Sequence, residues 1–167
     1  VTDGVAFNPT ATTTYTVTGT DVNNCENDDV ITVTVNPLPS VVANATPSAI
    51  CLTDPTTLTG SGTAGVTYIW NNGATNGIAI YPTITTTYTV IGTDASGCEN
   101  NDIITVTVNP LPTVVASANP ANLCIGNSTT LTGGGASTYI WDNGVTDGVA
   151  FNPTTTTTYT VTVTDVN

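Results

Sequence analysis

The stretch that decides the fold is residues 86–109, which read TTYTVIGTDASGCENNDIITVTVN. Its first part, 86–93, places Tyr88 and Val90 on one face of an extended chain, and its last part, 103–108, alternates with a period of two. β-Branched and aromatic residues dominate both parts, and such residues fit a pleated, half-buried strand. Asp, Ser and Gly, which favour turns, lie between them. The stretch therefore predicts a hairpin formed by the last two strands of a small domain.

Shorter strand signals precede this hairpin. They predict strands at 41–45, 49–51, 56–62, 66–70 and 77–81, with Leu58 facing inward. Pro47 separates the first two strands, and the turn Asn71-Asn72-Gly73 closes the fourth. Six or seven short strands without helical periodicity predict an all-β chain of immunoglobulin-like sandwich domains with no helix.

The chain also repeats itself, and this sets its domain organisation. Pro37-Leu38-Pro39 recurs as Pro110-Leu111-Pro112, 73 residues later, and the cysteines recur with the same shift. We therefore predict three tandem immunoglobulin-like repeats of about 73 residues. The first repeat (1–36) is the C-terminal half of a unit, the middle repeat (37–109) is complete, and the third repeat (110–167) lacks its last strand. The missing strand leaves an edge open to strand pairing.

Similarity between the repeats alternates along the chain. Residues 1–23 and 145–167 are identical at 21 of 23 positions, whereas the matching part of the middle repeat agrees with 1–23 at only 14. The first and third repeats thus resemble each other more than either resembles its neighbour. We expect a long array whose true unit is a pair of repeats.

Charge excludes several classes of function. Twelve acidic side chains with no Lys, Arg or His give a formal net charge of −12. Nucleic acid is excluded as a partner because phosphate binding needs basic side chains. No apolar run has the length of a membrane span, so membrane insertion is not expected. The usual general bases His and Lys are absent, and acids change to Asn between repeats, as Asp3 does at Asn76. We expect that the chain is not an enzyme.

Several motifs together resemble a known class of surface repeat. They are Thr-Leu-Thr-Gly at 57–60, Tyr-Ile-Trp-Asn-Asn-Gly at 68–73, Thr-Thr-Thr-Tyr-Thr-Val at 85–90, Gly-Thr-Asp-Ala-Ser-Gly-Cys-Glu at 92–99 and Ile-Thr-Val-Thr-Val-Asn-Pro-Leu-Pro at 104–112. The chain is similar to the Ig-like or PKD-like tandem repeats of large Bacteroidota cell-surface proteins, such as gliding-motility adhesins exported by type IX secretion. The resemblance implies an extracellular or cell-surface location and carries over no catalytic residue.

The four cysteines, Cys25, Cys51, Cys98 and Cys124, are predicted to form disulfides, because an extracellular setting favours them. One alternative is the bond Cys51–Cys98 within a repeat, which would close a loop worth roughly 4 kcal/mol. In a standard sandwich, however, the turns that hold these two residues lie at opposite ends. The other alternative joins successive repeats, with all partners outside residues 1–167. Buried thiols without a disulfide are the third interpretation.

Acidic and aromatic residues recur at the repeat spacing. The acids near the tip of the last hairpin are Asp21, Glu26 and Asp29 in the first repeat and Asp94, Glu99 and Asp102 in the middle one. Three carboxylates are a candidate Ca²⁺ site, although turn formation and solubility explain them more simply. No other cofactor is expected. The aromatic residues Trp70, Trp141, Tyr15, Tyr88 and Tyr159 are interpreted as core anchors, with sugar stacking as the alternative.

These observations favour a structural function. We expect a repeat segment of an extracellular filament or adhesin stalk, in which Pro-Leu-Pro linkers stiffen the connections. Its partners would be neighbouring repeats of the same long chain or identical chains in a fibre. The alternative is a loop-based glycan- or protein-binding module of a secreted surface protein.

Overall fold

The computed structural model describes residues 1–166 and consists of short β-strands joined by turns and loops. The strands are β1 (Thr13–Thr20), β2 (Glu26–Val33), β3 (Val41–Thr46), β4 (Ala49–Cys51), β5 (Thr56–Gly62), β6 (Thr67–Trp70), β7 (Ala79–Ile80), β8 (Thr86–Thr93), β9 (Glu99–Asn109), β10 (Val115–Asn119), β11 (Thr129–Gly134), β12 (Thr138–Trp141), β13 (Ala150–Phe151) and β14 (Val161–Thr164). A single 3-10 turn covers Asp142–Gly144, and residues 1–166 contain no α-helix and no helix long and apolar enough to cross a membrane. The prediction of an all-β chain is confirmed.

Every sheet is built from strands of one repeat. In the middle repeat, β3, β5 and β7 form an antiparallel sheet, and β4, β9, β8 and β6 form a second sheet in that order. Strand β4 pairs in parallel with the end of β9, so that Ala49 lies opposite Thr107 and Cys51 lies opposite Asn109. The short N-terminal strand β4 and the last strand of the repeat are therefore hydrogen-bonded neighbours.

The inward faces of these two sheets form the core of the middle repeat. Leu58 of β5, Val90 of β8 and Val106 of β9 are fully buried. Gly60 of β5 approaches the ring of Tyr68 in β6 so closely that a Cβ on Gly60 would stand 2.7 Å from it. The side-chain alternation of period two therefore directs one face of each sheet into the core, as in a β-sandwich.

The other two repeats contain fewer strands. In the first repeat β1 and β2 form a two-stranded antiparallel sheet, and Val17 of β1 is 66% exposed although its counterpart Val90 is fully buried. In the third repeat β10, β11 and β13 form one sheet and β12 and β14 another. Leu131 and Trp141 are buried there. The third repeat thus keeps a core, whereas the strands of the first repeat lie largely in solvent.

The chain divides into two compact units. One contains 1–48, 56–80 and 87–105, with β1–β3, β5–β7 and most of β8 and β9. The other contains 49–55, 81–86 and the described residues from 106 onward, with β4, the end of β9 and β10–β14. This division passes through strands of the middle repeat, so the domain boundaries at residues 37 and 109 stay a prediction.

Candidate functional site

Both tryptophans lie in the core and are hydrogen bonded in the same way. Trp70 Nε1 donates to Oδ1 of Asn76 (3.0 Å), and the same oxygen accepts from the Gly60 amide (2.6 Å). In the third repeat, Trp141 Nε1 donates to Oδ1 of Asp147 (2.8 Å), which also accepts from a backbone amide of β11 (2.7 Å). In both repeats, these bonds use only an acceptor oxygen of the Asn or Asp side chain. Asn and Asp can therefore replace each other at this position without loss of either bond.

The tyrosines at the start of the penultimate strand are covered to different extents. Tyr88 is buried in the middle repeat, whereas Tyr15 and Tyr159 are half-buried. Tyr15 and Tyr159 each meet a phenylalanine ring edge-on, with ring centroids 5.3 and 5.4 Å apart. Full burial occurs in the one repeat whose described residues include a complete set of strands.

Asp94 builds the turn between β8 and β9. Its Oδ1 accepts from the backbone amides of Ser96 (2.8 Å) and Cys98 (2.9 Å). Asp21 makes the same two bonds in the first repeat. These bonds, with the Cys25 amide contributing most, hold the pKa of Asp21 below its ordinary value of 3.8. The two aspartates serve as turn-forming residues.

Asp102 ties the last strand of the middle repeat to the other sheet. Its Oδ2 accepts from the amide of Ala43 in β3 (2.9 Å). This bond, and next the bond from the Ile103 amide, lowers the pKa of Asp102 below 3.8. Asp29, the counterpart in the first repeat, accepts from the amide of Val30 (2.9 Å). Asp102 thus acts as a link between sheets.

The glutamates bond to nearby threonines: Glu26 accepts from the Thr20 hydroxyl (3.4 Å) and Glu99 from the Thr93 hydroxyl (3.2 Å). Among residues 1–166, no three acidic or cysteine side chains come close enough to hold a metal ion together. The candidate Ca²⁺ ligands Asp21, Glu26, Asp29, Asp94, Glu99 and Asp102 are instead used in turns and strand contacts. Calcium binding stays a prediction.

The two cysteines of the middle repeat lie at opposite ends of β9. Cys51 is opposite Asn109, and Cys98 immediately precedes Glu99, where β9 begins. The strand rises about 3.3 Å per residue, so its ends are roughly 33 Å apart, whereas a disulfide needs Cα atoms within about 7 Å. Cys98 is a free thiol. The within-repeat bond Cys51–Cys98 is therefore not formed.

The alternative of disulfides between successive repeats stays a prediction. Cys25 and Cys124 are exposed thiols, and Cys51 and Cys98 are half-buried at opposite ends of their repeat. Among the described residues, none of Cys25, Cys98 and Cys124 forms a disulfide.

The third repeat contains an open groove of about 480 Å³. One wall is formed by Ala118 and residues 120–125, and the other by residues 153–157 and Tyr159. Thr129 and Leu131 of β11 complete the lining. The repeats can be aligned on their recurring prolines, cysteines and tyrosines. In this alignment the two walls correspond to the two stretches of the middle repeat that flank β9.

The walls of the open groove lose their strand structure where β9 would pair with them. In the middle repeat, β4 pairs with Thr107–Asn109, and the strand structure of β8 begins at Thr86. The counterparts in the third repeat, 122–124 and 157–160, are not strands. A strand exists only where a neighbour satisfies its backbone groups, so among the described residues the groove lies in the position that β9 occupies in the middle repeat.

Hydrogen-bonding side chains line the same groove. In the middle repeat, the Thr85 hydroxyl oxygen accepts from the amide of Val108 in β9 (3.0 Å). Its counterpart, Thr156, lines the open groove and makes no side-chain hydrogen bond within the part of the chain that the structure describes. Thr156 therefore holds, beside the groove, the position from which Thr85 binds β9 in the middle repeat.

No protein-family model matches this chain, and no curated protein does.

Sequence reasoning predicted an open edge in the third repeat but missed the acceptor of the tryptophan indoles. The available signal was the spacing, since Asn76 and Asp147 each follow their tryptophan by six residues. In the sequence alone, the change from Asp3 to Asn76 argues only against a catalytic carboxylate at this position.

Proposed function

We propose that this chain is a structural repeat segment of an extracellular filament or adhesin stalk. Supporting this, the side chains that recur at the repeat spacing build the fold. Trp70 and Trp141 share one hydrogen-bonding arrangement in the core, and Asp21 and Asp94 share one turn. The resemblance to Ig-like and PKD-like surface repeats of Bacteroidota supports the same role and a location outside the cell.

The observation that carries the proposal is the parallel pairing of β4 with the end of β9. Strand β4 lies near the start of the middle repeat, and Thr107–Asn109 lie at its end. A stalk is pulled at the two ends of each repeat. Such tension would slide β4 and β9 past each other, and their hydrogen bonds, which run across the strands, would have to break together rather than one at a time. This geometry suits a protein that resists stretching.

Single-molecule stretching of the chain tests this proposal. The middle repeat should unfold in one step that lengthens the chain by roughly 200 Å, since 73 residues extend to at most about 3.4 Å each. Ile50→Pro removes an amide from β4 and should lower the unfolding force. Ala95→Pro is the matched control, because Ala95 follows Asp94 in a turn closed by the bond from Gly97 to Asp94, where proline is tolerated. Equal unfolding forces for Ile50→Pro and the unaltered chain would refute the stalk proposal.

A second candidate function is a glycan-binding module, favoured by one exposed aromatic side chain. Tyr81 is 66% exposed, and Ile84 nearby is also exposed. Exposed aromatic rings stack on sugars, and the first and third repeats carry Asn8 and Asn152 at this position. A glycan array probed with the chain and with its Tyr81→Ala variant tests this function. The function requires that the unaltered chain binds a glycan on the array and that the variant does not.

A further inference from the structure

Three asparagines of the chain are followed directly by glycine. They are Asn72, Asn76 and Asn143. Glycine has no Cβ, so its backbone nitrogen is the least hindered nucleophile that can follow an asparagine. Once this nitrogen has lost its proton, it can attack the side-chain amide carbon of the asparagine before it. The three pairs are chemically alike, so their surroundings decide which of them reacts.

The pair Asn76-Gly77 is held in an unreactive arrangement. Asn76 Oδ1 accepts hydrogen bonds from the Trp70 indole (3.0 Å) and from the Gly60 amide (2.6 Å). The Gly77 amide donates to the carbonyl oxygen of Leu58 (2.8 Å). Attack of the Gly77 nitrogen on Asn76 would therefore require these hydrogen bonds to break first, and each of them raises the barrier.

The pair Asn72-Gly73 lies exposed in the turn that follows β6. No hydrogen bond within residues 1–166 uses the Asn72 side chain or the Gly73 amide. Both residues have positive φ angles, 54° and 71°. A Cβ added to Gly73 would meet no atom within 4 Å, so a cyclic imide at this place has room to form. The nucleophile and its target are both accessible in this pair.

The pair Asn143-Gly144 of the third repeat has an acidic neighbour. Asp142 stands where the middle repeat has Asn71, and Asn143 Nδ2 donates to Oδ1 of Asp142 (3.2 Å). A negative charge this near in the chain also disfavours the loss of a proton from the Gly144 amide. Asn143 should therefore react more slowly than Asn72.

We propose that Asn72 is a modification site, at which the chain deamidates spontaneously in water. The Gly73 nitrogen gives its proton to hydroxide and forms a bond to Cγ of Asn72. The Cγ–Nδ2 bond breaks, and ammonia leaves after taking a proton from water. A second water molecule then opens the cyclic imide at either of its carbonyls, which gives aspartate or isoaspartate. The reaction needs water alone and neither an oxidant nor a reductant.

The modification changes both the charge and the backbone of the turn. Each event adds one negative charge to the net charge of −12. Isoaspartate also inserts a methylene group into the main chain between Asn72 and Gly73. The modified fraction rises with the age of the molecule, so an extracellular chain that is not replaced would carry a record of its age. This inference goes beyond the stalk function and does not depend on it.

Timed incubation of the intact folded chain tests the proposal. The chain is kept at mildly alkaline pH and then digested with pepsin in acid, which stops the reaction. Mass spectrometry of the peptides measures the replacement of NH2 by OH at each of the three sites. Asn72 should react at least about tenfold faster than Asn76, because the hydrogen bonds at Asn76 must break first. Asn143 should react at an intermediate rate.

Unfolding supplies the matched control. In concentrated guanidinium chloride the hydrogen bonds of Asn76 and Gly77 are lost, so Asn72 and Asn76 should react at similar rates. A second arm uses Asn71→Asp, which recreates the acidic neighbour of the third repeat. Aspartate can still accept from the Thr89 amide, as Asn71 Oδ1 does (3.0 Å). This variant should deamidate at Asn72 at least about twofold more slowly because of the added charge.

Two results would overturn the proposal. The first is deamidation of Asn72 in the folded chain that is no faster than that of Asn76. The second is the same ratio of these two rates in the folded and the unfolded chain, which would show that the fold does not select the site.

Discussion

Replacing Asn76 by alanine tests the hydrogen bonds that hold Trp70 in the core. Asn76 Oδ1 accepts from the Trp70 indole (3.0 Å) and from the Gly60 amide (2.6 Å), so the change removes two bonds. A typical hydrogen bond contributes about 1 kcal/mol, and a buried donor left without a partner costs about 1–3 kcal/mol. Because Asn76 is exposed, water can reach part of the vacated site. We expect the free energy of unfolding of the middle repeat to fall by about 2 kcal/mol.

The third repeat supplies the matched control, Asn76→Asp. Asp147 accepts the equivalent two bonds at 2.8 and 2.7 Å, so this exchange should change the free energy of unfolding by less than about 0.5 kcal/mol. Urea unfolding followed by tryptophan fluorescence measures both variants, in a Trp141→Phe background that leaves Trp70 as the reporter. With a slope of about 1 kcal/mol/M for a small domain, the Asn76→Ala midpoint should fall by about 2 M. An unchanged midpoint, or equal losses in both variants, would refute the reasoning.

Three further predictions concern the same middle repeat. The pKa of Asp102 is lowered chiefly by the Ala43 amide. The contribution of Asp102 to stability is therefore complete above about pH 4 and is lost as the pH falls through the folded pKa. Urea midpoints between about pH 5 and pH 2 should consequently fall less for Asp102→Asn than for the unaltered chain. Gly92→Ala places a Cβ 2.5 and 2.8 Å from two valine side chains and should cost about 1–3 kcal/mol in urea unfolding, whereas Gly19→Ala, whose nearest neighbour is at 3.9 Å, should cost less than about 0.5 kcal/mol. Because Cys98 is a free thiol, strong reductant should leave the melting temperature unchanged, and a fall would reveal a disulfide.

Strand positions were predictable where apolar alternation coincides with pairing. Strands Thr56–Gly62 and Thr86–Thr93 match the prediction at both ends. Strand β9, however, begins at Glu99, four residues before the predicted start at Ile103. The added residues Glu-Asn-Asn-Asp are polar, and they extend the strand because ladder hydrogen bonds use only the main chain. A search for alternating apolar side chains therefore cannot detect this part of β9.

The candidate site was predictable only in part. Comparison of the repeats shows that residues 110–166 include no counterpart of β9 and hence that an edge is open among them. It does not show which neighbours lose their strand structure. Residues 157–160 have the same sequence as 86–89, yet only 86–89 form a strand. The difference comes from the presence of β9 beside one copy, so no local property of the sequence predicts it.

The outward faces of the hairpin strands carry threonine pairs instead of ion pairs. The hydroxyls of Thr87 and Thr105 lie 2.8 Å apart, and those of Thr14 and Thr32 lie 2.9 Å apart. These bonds do not depend on charge, and the chain has no basic side chain, so its ionised side chains only repel one another. Added salt shortens the screening length from about 10 Å at 0.1 M to about 3 Å at 1 M. Rising ionic strength therefore removes repulsion without weakening any ion pair between side chains, and the fold becomes more stable as the surrounding water becomes saltier.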